Sequence, residues 1–153
     1  MDALKDIAVI VGLIAALWGI YKGFSEYRLQ GVQKRADFFF KKQSEFFANK
    51  SFGEIRSLLE NDNPELAFIS FEEKRAYLTF FEEIALLKNS RLINEDVAFY
   101  MFGYYAIKCY ESENFWFDVV NKEIYWSVFL AFAATMQKHL RANYKIVAHE
   151  LEF

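Results

Sequence analysis

The stretch IAVIVGLIAALWGIYKGF, residues 7–24, decides the fold of this 153-residue chain. It is either a helix that crosses a bilayer or a helix that lines a core. Ile7 to Tyr21 is fifteen residues without a charge, short of the roughly 20 that a spanning helix needs. The flanks supply the rest. Ala3, Leu4, Trp18, Tyr21 and Phe24 suit the membrane interface, and the stems of Lys5 and Lys22 are long enough to carry their ammonium groups to the headgroups. From Ala3 to Phe24, at about 1.5 Å per residue, the helix reaches roughly 33 Å, enough for the hydrocarbon layer. Its Ile, Leu and Val residues favour insertion by about 2 to 5 kcal/mol in total. A cleaved leader is disfavoured, because no small-x-small site follows and Asp2 and Asp6 interrupt any basic start. The expectation is a membrane span.

Charge then gives an orientation. Six bases (Lys22, Arg28, Lys34, Arg35, Lys41 and Lys42) face Glu26 and Asp37 over residues 22–42, while residues 1–6 hold one Lys against two Asp. Positive charge stays on the cytoplasmic side, so the N-terminus is expected outside and the body inside. Lys22, Arg28, Lys34 and Arg35 form a basic collar suited to anionic headgroups, and they equally serve to stop translocation. Within the span, Ala8, Gly12, Ala16, Gly19 and Gly23 fall on one helical stripe. Such a seam of small residues lets another membrane helix approach closely.

Eighteen Phe, nine Tyr and three Trp, with six Gly and one Pro, favour long uninterrupted helices over turn-rich β structure. The span is expected to continue as a helix to about Ala48, bending near Gly31. Phe38, Phe39 and Phe40 cover most of a helix circumference, so some pack on the domain and some face membrane or partner. A capping box of Ser51 with Glu54 predicts a short helix ended by Asn61–Pro64, and Ser70 with Glu73 predicts the next. In that second helix Tyr77, Phe80, Phe81, Ile84 and Leu87 form the apolar face. Asn94 caps a helix that is apolar nearly all round from Val97 to Ile107, which predicts a central position and a close helix contact at Gly103. After an irregular ENFWFDVVN, the run from Lys122 to Lys145 predicts one last long core helix.

The chemistry-bearing residues do not converge. His139 and His149 are off the spacing that puts two ligands on one helix face, and a lone Cys109 in an apolar helix reads as a structural thiol. There is no glycine-rich phosphate loop and no nucleophile elbow. The modest acidic balance argues against nucleic acid. Neither an enzyme, a cofactor, a metal nor a small-molecule substrate is expected. The aromatic residues exceed what short helices enclose, so an apolar surface is expected around Phe38, Phe39, Phe40, Phe115 and Trp116, facing a partner.

The stretch YLTFFEEIALLKNSRLINEDVAFYMFGYYAIKCYE, Tyr77 to Glu111, resembles a family of short bacterial membrane proteins classed only as a domain of unknown function. The resemblance implies one N-terminal span, a basic juxtamembrane helix and a helical cytoplasmic domain, and it brings no catalytic residues.

The expected fold is all-α. Residues 1–24 form the transmembrane anchor, 25–48 the basic juxtamembrane helix and 49–153 a small cytoplasmic helical bundle of about four helices. The expected role is a non-enzymatic, membrane-anchored interaction protein, an accessory or assembly subunit or a self-associating scaffold. Its partners are then the lipid bilayer and other membrane subunits or itself. The alternative is a membrane effector, a toxin or phage-defence component, acting by oligomerisation in the bilayer.

Overall fold

A computed structural model describes residues 2–142, and the side chains of residues 12–142. Every regular element among the described residues is helical, in agreement with the all-α expectation. The chain divides into two compact units, Met1–Asp37 and Phe38–Phe153, and helix α1 (Asp2–Ala48) carries the boundary within it. No helix among the described residues is long and apolar enough to cross a membrane. The run Ile7–Tyr21 starts before Gly12, the first residue whose side chain is described.

The second unit begins inside the helix expected to be wholly juxtamembrane, rather than at residue 49. Phe39 and Phe46 are the reason, because both are fully buried in its core. Phe46 stacks on Phe80 at 4.8 Å between ring centroids and meets Phe81 and Phe102 edge-on at 5.6 and 5.5 Å. Offset and edge-to-face pairs of this kind add to plain area burial. The guanidinium of Arg56 lies 4.7 Å from the Phe46 ring centroid and donates to the Phe46 carbonyl, so the last turn of α1 is closed by a cation.

Helix α2 (Lys50–Leu59) starts on Asn49, whose side chain accepts from the Phe52 N–H at 3.2 Å. The expected Ser51–Glu54 box is thus not the start signal. Ser51 instead donates its hydroxyl to Glu73 at 2.9 Å, tying α2 to the head of α3 (Phe71–Asn89). Ser70 caps α3 as expected, accepting from the Glu73 N–H and donating to its carboxylate. Between the two helices, a 3₁₀ turn (Pro64–Phe68) is capped by Asn63 and inserts Leu66 into the core. The buried face of α3 carries Tyr77, Phe80, Phe81 and Ile84, with Leu87 half-buried, as the apolar spacing requires.

Asn94 caps helix α4 (Glu95–Ala98), also as expected, and α4 passes through a π-helical turn (Phe99–Gly103) into α5 (Tyr104–Glu111). After residues 112–121 the expected single last helix is broken at Trp126 into α6 (Lys122–Tyr125) and α7 (Ser127–Arg141). Trp126 leaves helical geometry at φ −118° while its ring is buried. Neither α6 nor α7 has a side-chain cap from its own N-cap residue. For α7 the bond comes from another element: the Glu82 carboxylate accepts from the Phe129 N–H. Burial raises the Glu82 pKa and that N–H partly offsets the rise. Helix α7 packs on α3 and α5, closing the bundle.

Candidate functional site

Helix α4, the π turn and α5 carry a stripe of residues that opens beside α7. Phe99, Tyr100, Tyr104, Ile107 and Leu140 line a cleft of about 390 Å³, with Lys108 and Glu111 at its edge. The stretch Val97–Ile107, expected to be central because it is apolar nearly all round, buries Val97, Ala98, Phe102, Ala106 and Ile107 but leaves Tyr100 61% and Tyr104 52% exposed. The π turn is what splays these rings. Gly103 permits it, because a Cβ there would sit 2.7 Å from the Phe99 ring. The close contact expected at Gly103 is therefore with its own helix and not with a neighbouring one. π turns of this kind are frequent at functional sites.

Tyr104, Lys108 and Glu111 already hold partners. The Tyr104 hydroxyl donates to the Glu60 carboxylate, which raises its pKa. Lys108 Nζ donates to the Glu60 carbonyl at 3.0 Å and lies 5.8 Å from the Tyr104 ring centroid, and Gln137 donates to Glu111. What the cleft offers is apolar and aromatic contact at fixed geometry, with hydroxyls at the rim. Its signal is present in the sequence: positions 100, 104, 107, 108 and 111 recur at helical intervals and end in two charges.

The residues expected to face a partner divide. Phe38 and Phe40 are exposed, whereas Phe39, Phe115 and Trp116 are buried. Phe39 meets Phe102 at 5.5 Å, and Phe115 and Trp116 pack on Tyr77 and Phe129. Their burial removes these three from any surface. In the irregular segment the outward ring is Phe117.

In the first unit, every described residue from Gly12 to Gln30 is exposed. A Cβ built on Gly12, Gly19 or Gly23 would meet nothing within 4 Å. Ala16 is exposed beside them, and the side chain of Ala8 lies outside those described. Of the basic collar, Lys22 pairs loosely with Glu26 at 4.0 Å, Arg28 and Lys34 are exposed, and Arg35 is half-buried.

Cys109 is buried, and burial pushes its thiol well above the ordinary range, which fits an inert structural thiol. His139 Nε2 lies 3.5 Å from both Glu95 and Asp96, with its ring against Phe99. His149 lies outside the described residues.

No curated protein and no solved structure matches the chain. A family model does, over residues 6–141, which include the exposed stretch of α1, the cleft and all of α7. The chain belongs to the family described as Domain of unknown function (DUF4760).

Proposed function

We propose that this protein is a membrane-anchored interaction protein, an accessory subunit or self-associating scaffold of a membrane complex. In this reading α1 spans the bilayer from Ala3 to Phe24, with its N-terminus outside and the bundle in the cytoplasm. One observation carries the reading. Leu13, Ile14, Leu17, Trp18, Ile20, Tyr21 and Phe24 are all exposed on one arc of about 160°, and Gly12, Ala15, Ala16 and Gly19 fill the other side, so residues 12–21 present no charge in any direction. A helix that is apolar on every side is stable only where lipid or protein covers every side. Every described side chain from Gly12 to Gln30 is exposed.

The collar of Lys22, Arg28 and Lys34 supports the orientation, through the cytoplasmic preference of Lys and Arg near a span. Open space over Gly12, Gly19 and Gly23 supports close approach by a second membrane helix. On the bundle, the tyrosine-rich cleft supports a protein contact, since Tyr is enriched where interfaces concentrate their energy.

The test is extraction and purification of the full chain from native membranes. The protein is expected to resist alkaline carbonate, to require detergent, and to migrate in mild detergent with a partner or as an oligomer. Release by carbonate overturns the span. A stable lone monomer in mild detergent overturns the interaction role.

A further inference from the structure

We propose that residues 112–126, between α5 and α7, form a strap over a buried polar pair. The Asp62 carboxylate clasps it, and it opens as a unit while the rest of the bundle stays folded.

The strap holds itself together weakly. Before α6 its main chain bonds to itself only from Phe117 N to Asn114 O at 3.4 Å, from Val119 N to Trp116 O at 3.1 Å, and from Phe115 N to the Ser112 hydroxyl at 2.9 Å. Its attachments to the bundle are few and discrete. The Asp62 carboxylate accepts from the Ser112 hydroxyl and from the Glu113 and Asn114 N–H groups, and the Asn114 side chain donates back to the Asp62 carbonyl at 2.7 Å. Further along, Lys74 Nζ donates to the Phe117 carbonyl at 3.2 Å, and the Trp116 indole donates to the Cys109 carbonyl at 2.9 Å. Asp118 and Asn121 take positive φ, 61° and 53°, in the left-handed region that a non-glycine residue enters at a cost. Phe117, Val120, Ile124 and Tyr125 point outward.

What lies beneath is poorly satisfied. The inner ring, Phe115, sits 6.0 Å from the Tyr77 ring and 5.8 Å from Lys74 Nζ. The Tyr77 hydroxyl is buried with no hydrogen-bond partner among the described residues, a costly state for a donor. Lys74 is buried too, and its ammonium, with three donors, makes one hydrogen bond. Closure buries Phe115 and Trp116, which favours the closed form. Opening lets water reach the Tyr77 hydroxyl and the Lys74 ammonium and releases two left-handed residues. Two states that exchange apolar burial for polar hydration lie closer in free energy than the folded and unfolded chains, and local opening of this kind is a known mode of native proteins.

Cys109, the chain's one cysteine, is buried beside the strap and bonded through its carbonyl to Trp116. It reports the opening directly. The experiment labels the full-length protein in mild detergent with a small maleimide over a urea series. A labelling rate nearly independent of urea at low concentration is expected, turning into a steep dependence only where the bundle unfolds. Asp62→Ala is expected to raise the low-urea rate about tenfold or more, since it removes three bonds to a carboxylate. Tyr77→Phe, which deletes the unpartnered hydroxyl and keeps the ring, is expected to lower it. A single steep urea dependence at every concentration overturns the proposal, because Cys109 is then reached only by global unfolding. An unchanged or raised low-urea rate in Tyr77→Phe overturns it too, and that variant keeps the packing even where Asp62→Ala does not fold.

Discussion

Trp18 and Phe46 are large aromatic residues on one continuous helix, yet Trp18 is 69% exposed and Phe46 is fully buried. The difference lies in what surrounds them and not in the helix. Around Phe46 the chain supplies Phe52, Tyr77, Phe80, Phe81 and Phe102, brought there by α2, α3 and the π turn. Around Trp18 it supplies no described residue that buries a side chain. One end of α1 therefore buries apolar rings inside the bundle, and the other leaves them exposed. The same apolar composition packs a core in one place and stays exposed in the other.

The largest effect is expected where the comparison is sharpest. Phe46→Ala deletes a ring in contact with seven others and leaves a cavity that the surrounding helices fill only in part. It is expected to destabilise the bundle by about 3 to 5 kcal/mol, read as a lower midpoint in chemical denaturation. A loss below about 1 kcal/mol would mean that the end of α1 is not part of the core. Membrane association is expected to survive the substitution, because the apolar surface near Trp18 is unchanged.

Two glycines extend the contrast at smaller magnitude. At Gly103 a methyl group meets the Phe99 ring at 2.7 Å, so Gly103→Ala must displace that ring or the π turn. Overpacking of this kind costs about 1 to 3 kcal/mol. At Gly19 a methyl group meets nothing, and Gly19→Ala also removes a poor helix former. Gly19→Ala is expected to leave the denaturation midpoint unchanged or slightly raised. If the seam holds another helix in the membrane, the same substitution weakens the oligomer or the co-purifying complex. Equal loss of stability at both positions would abolish the distinction between the two halves.

Much of the fold is legible in the sequence because its signals are local. Ser70 and Asn94 cap their helices with bonds to N–H groups two or three residues on, and Pro64 opens the 3₁₀ turn at its first position, where a missing N–H costs least. Phe38–Phe40 divides between core and surface because three consecutive helical positions cannot share one face. The misread points depend on distant partners. Asn49 and Ser51 both suit a helix start, and only the presence of Glu73 decides that Ser51 turns away. The break at Trp126 depends on its buried ring and on Glu82 binding the head of α7. Phe115 and Trp116 lie in an irregular segment with no period to assign their faces, so the sequence does not say that Asp62 and Lys74 fold them inward. The cleft is legible as a stripe ending in Lys108 and Glu111, but an apolar count around the helix hides it.

The smallest effect is the one that tests the comparison from the other side. Trp18 is an exposed residue, so Trp18→Ala is expected to shift the denaturation midpoint by no more than about 0.5 kcal/mol, the range of surface substitutions. In the proposed reading it removes an interfacial aromatic anchor from the span. Binding to vesicles, or resistance to carbonate extraction, is then expected to fall while the bundle's stability holds. The reverse pattern, an unchanged membrane association with a destabilised bundle, would place Trp18 against the core and merge the two regions into one. Because a single substitution is read in two assays, the outcome separates a helix covered by lipid from a helix covered by its own chain.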